Sequence, residues 1–488
     1  MKRLLFVVFF FLIFSCEKSN KNPNIIIFIA DDVSWDDLGC YGNLDVKTPN
    51  IDYLANNGLI FKNTYLTTSS CSPSRNSILT GRYPHNTGAA ELHTEPPLEM
   101  ISLPELLKDN DYYTLQAGKF HMGEYAKRGF NEIHDEIKIN GDGGEDYWNF
   151  AVENRPKNKP FFMWFASYDA HRKWGQNKFS GTHDPEELKI PKYLVDEKLT
   201  RQDLSKYYDE ITRFDFHIGE VVKILKKQKV FDDTMIIIMA DNGRPFPHSK
   251  TRLNDQGVKT PFVIHYPKIK SKIKITESLI SSIDIAPTIL ELAGIKEFIS
   301  FQGMSFLDII KNPEKSFRNY VFAEHNWHDY ESHQRMVRNK SFLYIRNSRP
   351  QFMQEGPLDA INSLTYIDLK KAKKNQTITD LQSEIFIYPR PKEELYDIIN
   401  DPYQSKNLLI NNKVHNKSDN YLELVNVLNK WIAETDDDLP KELTKDWYLR
   451  KQKPFNESSN LKTEYHGVRG QMPGSSLNAV KNNNKGPF

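Results

Sequence analysis

Asn24-Ile25-Ile26-Ile27-Phe28-Ile29-Ala30, preceded by Pro23 and followed at once by Asp31-Asp32, is the stretch on which the fold turns. It carries no charge and no alternation of polar with apolar positions, so it reads as a strand buried on both faces. Such strands belong to parallel sheets covered by helices on either side. Similar runs recur at Tyr112 to Ala117, Phe161 to Tyr168, Thr234 to Ala240 and Pro261 to Tyr266. Helical spacing separates them: Tyr207, Ile211, Phe214, Ile218, Val221 and Leu225 step by three or four residues. Ser282 to Leu292 reads as a further short helix, closed by Gly294. Strands alternating with helices predict an α/β domain over residues 23–318, built on a doubly wound, mostly parallel sheet. From Tyr320 the pattern shifts to shorter strand-like pieces, Arg335-Met336-Val337-Arg338 and Ser341 to Ile345, with a helix near Tyr421 to Thr435. A smaller C-terminal α+β subdomain is expected over 319–450. Residues 451–488, rich in Asn, Lys, Gly and Ser, are expected as an ordered wrap with a few anchors (Tyr465, and Trp447 just before the segment), or as a loose tail.

Polar residues stand just past the C-terminal ends of four of these strands, where open α/β sheets place their sites. They are Asp31-Asp32, then Lys119 and His121, then Asp169 and His171, then Asp241-Asn242-Gly243. Any one of these groups is an ordinary cap or turn, Asp-Asn-Gly above all. Four at one edge of one sheet are hard to produce by turn chemistry.

A second stretch sharpens the reading. Cys71-Ser72-Pro73-Ser74-Arg75-Asn76-Ser77-Ile78-Leu79-Thr80-Gly81 places Pro two residues, Arg four, and Leu-Thr-Gly eight to ten residues after a cysteine. An isolated cysteine would be read as a small core residue. This run instead resembles the signature of type I sulfatases, and the likeness extends from Asn24 to Glu394-Leu395-Tyr396-Asp397 and Asp401-Pro402. Within that family the sequence is most similar to N-sulfoglucosamine sulfohydrolases. That likeness rests on Cys-Ser-Pro-Ser-Arg, Pro84-His85, the Leu92-His93 region and Asp241-Asn242-Gly243-Arg244-Pro245-Phe246-Pro247.

The resemblance implies an alkaline-phosphatase-like fold and a set of roles. Cys71 would be oxidised by a formylglycine-generating maturation enzyme. The hydrated aldehyde then offers two hydroxyls, one to attack sulfur and one to expel the sulfate later. Asp31, Asp32, Asp241 and Asn242, with the modified Cys71, would bind a metal. Oxygen donors favour Ca²⁺, with Mg²⁺ also possible, over zinc. Arg75 would hold the hydroxyl, and Lys119 and Lys250 would bind sulfate oxygens. Lys250 departs from the Arg that sulfamidases carry, and Lys259 competes with it for this role. His171 would protonate the leaving group and His121 would take the proton that drives sulfate release. His85, His93 and His248 are candidates for the pocket wall.

Composition sets the remaining bounds. A chain of 488 residues is long enough for one large domain and a smaller one. With 65 basic and 64 acidic residues the net charge is +1, which offers nucleic acid no global attraction. An anionic substrate must therefore meet a local basic pocket. Lys2 and Arg3 precede an apolar run, Leu4 to Phe14, too short to span a bilayer. Ile13-Phe14-Ser15-Cys16 resembles a lipoprotein signal with Cys16 as the acylation site, although Phe14 is bulkier than that pattern usually carries. A plain secretory signal is the alternative. Residues 1–16 are thus expected as a signal and 17–22 as a tether, giving an exported protein in the periplasm or on the outer membrane or cell surface. Its membrane contact would be the lipid at Cys16 alone. With Cys16 and Cys71 both modified, only Cys40 remains and no disulfide framework exists.

The leading expectation is a hydrolase removing sulfate from a sulfated sugar in polysaccharide degradation. The bond would be the N-sulfate of a glucosamine unit, or an O-sulfate of an algal polysaccharide such as ulvan or carrageenan. A phosphoesterase or phosphonate hydrolase of the same superfamily would carry Ser or Thr as nucleophile and more zinc ligands. A non-catalytic glycan-binding lipoprotein would be expected to lose Cys71, Arg75 or the carboxylates.

Overall fold

The computed structural model describes residues 22–269, 271–296, 300–354, 356–410, 418–440 and 477–488. The signal, the tether, Cys16, Trp447 and Tyr465 lie outside them. Among the described residues no helix is long and apolar enough to cross a membrane.

The larger part is an eight-stranded sheet. Its strands are β1 (Asn24–Ala30), β2 (Leu59–Tyr65), β3 (Tyr113–Gly118), β4 (Glu132–His134), β5 (Phe161–Ala166), β6 (Thr234–Ala240), β7 (Phe262–His265) and β8 (Ile275–Ser281). They lie in the order β4-β3-β5-β1-β6-β7-β2-β8. All neighbours pair in parallel except at β7, which runs antiparallel to both β6 and β2. The sheet is therefore mostly parallel, with one reversed strand that apolar content could not reveal.

Alternation along β1 explains why its sequence is apolar throughout. Ile26 and Phe28 pack into one core with Tyr207, Ile211, Phe214 and Ile218 of the helix Lys198–Lys227. Ile25, Ile27 and Ile29 pack into another with Leu103, Leu107, Ile285 and Ile289 from helices on the opposite face. Each side of the sheet thus has its own helix layer.

A second sheet follows, antiparallel throughout: β9 (Val321–Trp327), β10 (Glu331–Arg338), β11 (Phe342–Asn347) and β12 (Glu393–Asp397) in the order β12-β11-β10-β9. Met336, Leu343 and Ile345 face the large sheet at Tyr65 and Leu279. Val337, Tyr344 and Leu395 face Leu424, Leu428 and Trp431 of the helix Asp419–Glu434. Between β11 and β12 a helical insertion runs back to the large domain. Its helix Leu364–Lys374 meets Lys198–Lys227, where Thr200 N–H donates to Asp368 at 2.9 Å.

The end of the chain is an anchored wrap over residues 480–488. The buried guanidinium of Arg82 donates to Asn483 Oδ1 at 2.5 Å, Val480 O at 2.8 Å and Asn482 O at 2.7 Å. Phe488 closes edge-on against Phe317 at 5.1 Å.

One ionic network fixes the segment after the last long helix to the small sheet. Arg335 on β10 donates to Asp437 through Nε at 2.5 Å and through a terminal nitrogen at 2.7 Å, and both side chains are buried. Removing one member of such a pair leaves a desolvated charge. Asp437→Ala should therefore lower the free energy of unfolding by roughly 3–5 kcal/mol. An unchanged urea or thermal midpoint would refute that assignment.

Candidate active site

Strands β3, β5, β1 and β6 are consecutive neighbours, so their C-terminal ends stand side by side about 4.8 Å apart. Asp31 and Asp32 follow β1, Lys119 and His121 follow β3, Asp169 and His171 follow β5, and Asp241 and Asn242 follow β6. The connection from β2 delivers Cys71 to the same edge, at the first position of the helix Cys71–Thr80. Pro73 is tolerated there because the amides of a first helical turn have no intrahelical partner. Gly81, at φ 59°, closes the other end. The loop between β6 and β7 brings Lys250 to this edge as well.

Two glycines let the backbones converge. A Cβ on Gly118 would lie 1.9 Å from Ala166 O, and one on Gly243 would lie 2.0 Å from Gln256 O. The edge also holds non-glycine residues in the left-handed region: Asp32 at φ 63°, His93 at 64° and His121 at 44°. Such conformations cost on the order of 1–3 kcal/mol each and persist where surrounding contacts impose them.

Cys71 is 2 % exposed and enclosed by acids. Its Sγ lies 3.2 Å from Asn242 Oδ1, 3.6 Å from Asp31 and 3.9 Å from Asp32. Asp31, Asp32, Cys71 and Asp241 each offer a ligand atom within 4.8 Å of the others, and all four are buried. Arg75, one helical turn on, donates through Nε to Asp241 at 2.8 Å and reaches to 4.0 Å from Asp31. Lys119 Nζ is hydrogen-bonded to Asp31. Lys250 Nζ bridges Asp32 at 2.7 Å and Asp359 at 3.1 Å. His171 Nδ1 is tied to the Arg172 carbonyl, which leaves Nε2 3.9 Å from Asp32 and 3.8 Å from Asp359. His121 Nε2 lies 2.9 Å from His93 Nδ1, while its own Nδ1 is buried with no partner among the described residues.

Electrostatics follow from taking these charges out of water. Burial opposes ionisation of Asp31, yet Lys119, His171 and Arg75 outweigh it and hold that carboxyl well below the ordinary range. Asp32 is pushed up to about 7 by burial, which Lys250 only partly offsets. Asp241 is pushed up to about 6 by burial, reinforced by the charge on Asp31. Burial, helped by Lys250, lowers His171 to about 4. His121 falls well below the usual imidazole range through burial and the nearby Lys119. Burial raises the Cys71 thiol well above its ordinary value. Crowded, desolvated carboxylates with an amide oxygen beside them form a donor set suited to a hard divalent cation.

Other candidates from the sequence lie elsewhere. Lys259 Nζ sits 4.1 Å over the Trp35 ring, so Lys250 and not Lys259 reaches the carboxylates. His85 is buried against Glu324 at 2.6 Å, in a structural network with Arg335 and Asp437. His248 lies 3.3 Å from Glu384 and 3.2 Å from Asn254. Sequence reasoning missed Asp359 altogether. It belongs to the short helix Leu358–Ile361 in the insertion, held where Leu358 N–H donates to Asp329 at 2.8 Å, and no local motif marks it.

Residues 23–295, more than half of the chain, match the sulfatase family, and residues 248–356 match the C-terminal domain of N-sulphoglucosamine sulphohydrolase. The chain is 29% identical to an ulvan-active sulfatase of Formosa agariphila, over 89% of this chain and 82% of that protein. It is 28% identical to human N-sulphoglucosamine sulphohydrolase, over 85% of this chain and 90% of that protein. In fold it resembles the solved structure of BT4656 in complex with its substrate D-glucosamine-2-N,6-O-disulfate. That likeness has a TM-score of 0.65 at 21% identity, over 85% of this chain and 98% of the other.

A cation that binds only the folded carboxylate cluster must stabilise the fold. Adding Ca²⁺ or Mg²⁺ to chelator-stripped protein at a hundredfold excess over Kd should add about 2.7 kcal/mol and raise Tm. Asp241→Asn should remove the shift. An unchanged Tm on addition of either ion would refute the metal reading.

Proposed function

The chain belongs to the sulfatase family and hydrolyses sulfate groups, and we propose that its substrate is sulfated carbohydrate and that Cys71, matured to formylglycine, is the nucleophile. The observation that carries the reading is the position of Cys71. It begins a buried helix, ringed by Asp31, Asp32 and Asn242, and among the described residues no histidine is a hydrogen-bond partner of Sγ that would act as base for a thiol nucleophile. An aldehyde hydrate at this place puts a hydroxyl, in place of sulfur, against those oxygen donors.

Asp31, Asp32, Asp241 and Asn242 would hold the cation, proposed as Ca²⁺ with Mg²⁺ the alternative. Bound there, it supplies Lewis-acid stabilisation of charge on the sulfate and on the attacking hydroxyl. Arg75 holds Asp241 and places its guanidinium beside the nucleophile. Lys119 and Lys250 offer ammonium groups to the sulfate oxygens. One hydroxyl of the hydrate passes its proton to the surrounding carboxylates and attacks sulfur while the S–O or S–N bond breaks. His171, its Nδ1–H held by the Arg172 carbonyl, takes up a proton at Nε2 beside the negatively charged sulfate and gives it to the leaving atom. His121 then takes the proton of the second hydroxyl through Nδ1. The C–O bond to sulfate breaks, the aldehyde re-forms, and water hydrates it again. Oxygen and nitrogen leaving groups need the same proton, so one site serves O-sulfates and N-sulfates alike. The similarity to ulvan-active sulfatases and to N-sulphoglucosamine sulphohydrolase supports a role in polysaccharide degradation. The N-terminal signal pattern supports an exported, lipid-anchored enzyme.

Mass spectrometry of the peptide spanning Cys71 should find the thiol replaced by an aldehyde. Cys71→Ala should abolish desulfation of heparan sulfate, ulvan and carrageenan oligosaccharides without moving Tm. Full turnover by chain carrying the intact thiol would overturn this assignment.

The two histidines should separate kinetically. His171→Ala should lose about 10²–10⁴-fold on sugar sulfates and far less on aryl sulfates, whose phenolate departs without a proton. His121→Ala should accumulate the sulfated hydrate whatever the leaving group. Equal losses for His171→Ala on both substrate classes would reject its role as acid.

A further inference from the structure

Two cavities meet beside the cluster of Cys71. The first, about 420 Å³, opens on Asp31, Lys119 and His171 and is walled by Tyr168, Trp174 and Arg213. The second, about 430 Å³, lies beyond it and is lined by Ser180, Gln202, Ser205 and Lys206. Trp174, Gly175, Gln176 and Glu210 border both. Each volume lies within the range of ordinary small-molecule sites.

The partition between them is fixed at one end and low at the other. Trp174 donates from Nε1 to Ala170 O at 3.0 Å, packs against Phe246 at 6.0 Å, and is covered by the Arg172 guanidinium at 4.1 Å. Arg172 is in turn locked to Asp203 by two bonds, at 2.6 and 2.8 Å. Trp174 is therefore a pillar, held by its indole hydrogen bond and by a cluster with Arg172 and Phe246. Next to it, Gly175 and Gln176 are exposed, and a Cβ added to Gly175 would meet nothing within 4 Å. The chain here forms a low sill.

Of the charged groups lining the second cavity, both carboxylates are already engaged. Asp209 already accepts from the amides of Gly181 and His183 and from His183 Nδ1, at 2.8, 3.0 and 2.8 Å. Glu210 is paired with Arg213 and accepts from Asn177 at 3.2 Å. Lys206 is exposed and makes no ion pair among the described residues. The remaining lining offers hydroxyl and amide groups, which suit sugar hydroxyls and not an apolar ligand.

We propose that the second cavity is a subsite for the neighbouring sugar unit of an oligosaccharide, that this unit carries an anionic group facing Lys206, and that the glycan crosses at Gly175. The proposal rests on the sulfatase reading of the adjoining site. It makes the enzyme one that acts on oligosaccharides, with the sulfated unit in the first cavity and its neighbour across the sill.

The test is titration calorimetry on Cys71→Ala protein, which cannot turn over its ligand, with heparin-derived and ulvan-derived ligands of one, two and four sugar units. Affinity in one of the two series should rise by about tenfold or more from one unit to two. Gly175→Phe, which raises the sill without backbone strain, should bring the ratio of affinities back towards one. Lys206→Ala should weaken the longer ligand by about two- to fivefold, as for an exposed ion pair. Affinity independent of length, or a gain that survives Gly175→Phe, would overturn the subsite while desulfation by the unsubstituted enzyme upholds the sulfatase reading. Absence of desulfation on every ligand, with Cys71 shown to be matured, would overturn the function and this subsite with it.

Discussion

Taking an ion out of water costs several kcal/mol even after the protein relaxes, and at the edge of the large sheet that cost is incurred many times within a few ångströms. Asp31, Asp32, Asp241 and Asp359 are set against Arg75, Lys119 and Lys250. The three cations come from three separate pieces of chain: the helix after β2, the end of β3 and the loop between β6 and β7. None of those elements can move without stranding a carboxylate. Four negative and three positive groups leave a deficit of one positive charge. A divalent cation would turn it into a surplus of one, the sign an anionic substrate requires.

The small sheet takes part in this arrangement. At the end of β9, Trp327 is buried against Cys71 and Leu92, and the next residue, His328, lies with Nδ1 2.8 Å from Ser70 Oγ, immediately before Cys71. Glu324, also on β9, holds both the backbone amide and the ring of His85 at 2.7 and 2.6 Å. The far end of the Cys71 helix is gripped by the terminal wrap through Arg82. Cys71 is thus positioned from both ends of its helix by chain that lies hundreds of residues downstream.

Much of this was legible in the sequence, and the limits have physical causes. β1 and β6 announce themselves because both faces are buried. β2 and β8, at and near one edge of the sheet, carry exposed or half-exposed positions such as Lys62, Asn63 and Glu277, and so lack a continuous apolar run. β7 was visible as a strand, but direction is not encoded in apolar content. The residues that follow strand ends could be placed together because a parallel sheet brings like ends to one edge. Asp359 could not, since it arrives on an insertion whose path is set by contacts of Asp368 and Thr365 with the helix Lys198–Lys227. Lys250 and Lys259 look alike in sequence, and only the course of the loop turns one towards Asp32 and the other over Trp35.

The burial of Cys71 also sets a clock on biosynthesis. An enzyme that reads Cys71 through Gly81 must meet that stretch as extended chain, because in the folded protein every residue from Cys71 to Gly81 is buried. Asn242, which closes over Sγ, lies 171 residues further along. At about 5–20 residues per second, synthesis leaves on the order of ten to thirty seconds between the emergence of the two. The maturation proposed for Cys71 is therefore a race against translation and translocation, and slowing the chain between β2 and β6 would favour the modified product without altering a single contact of the finished fold.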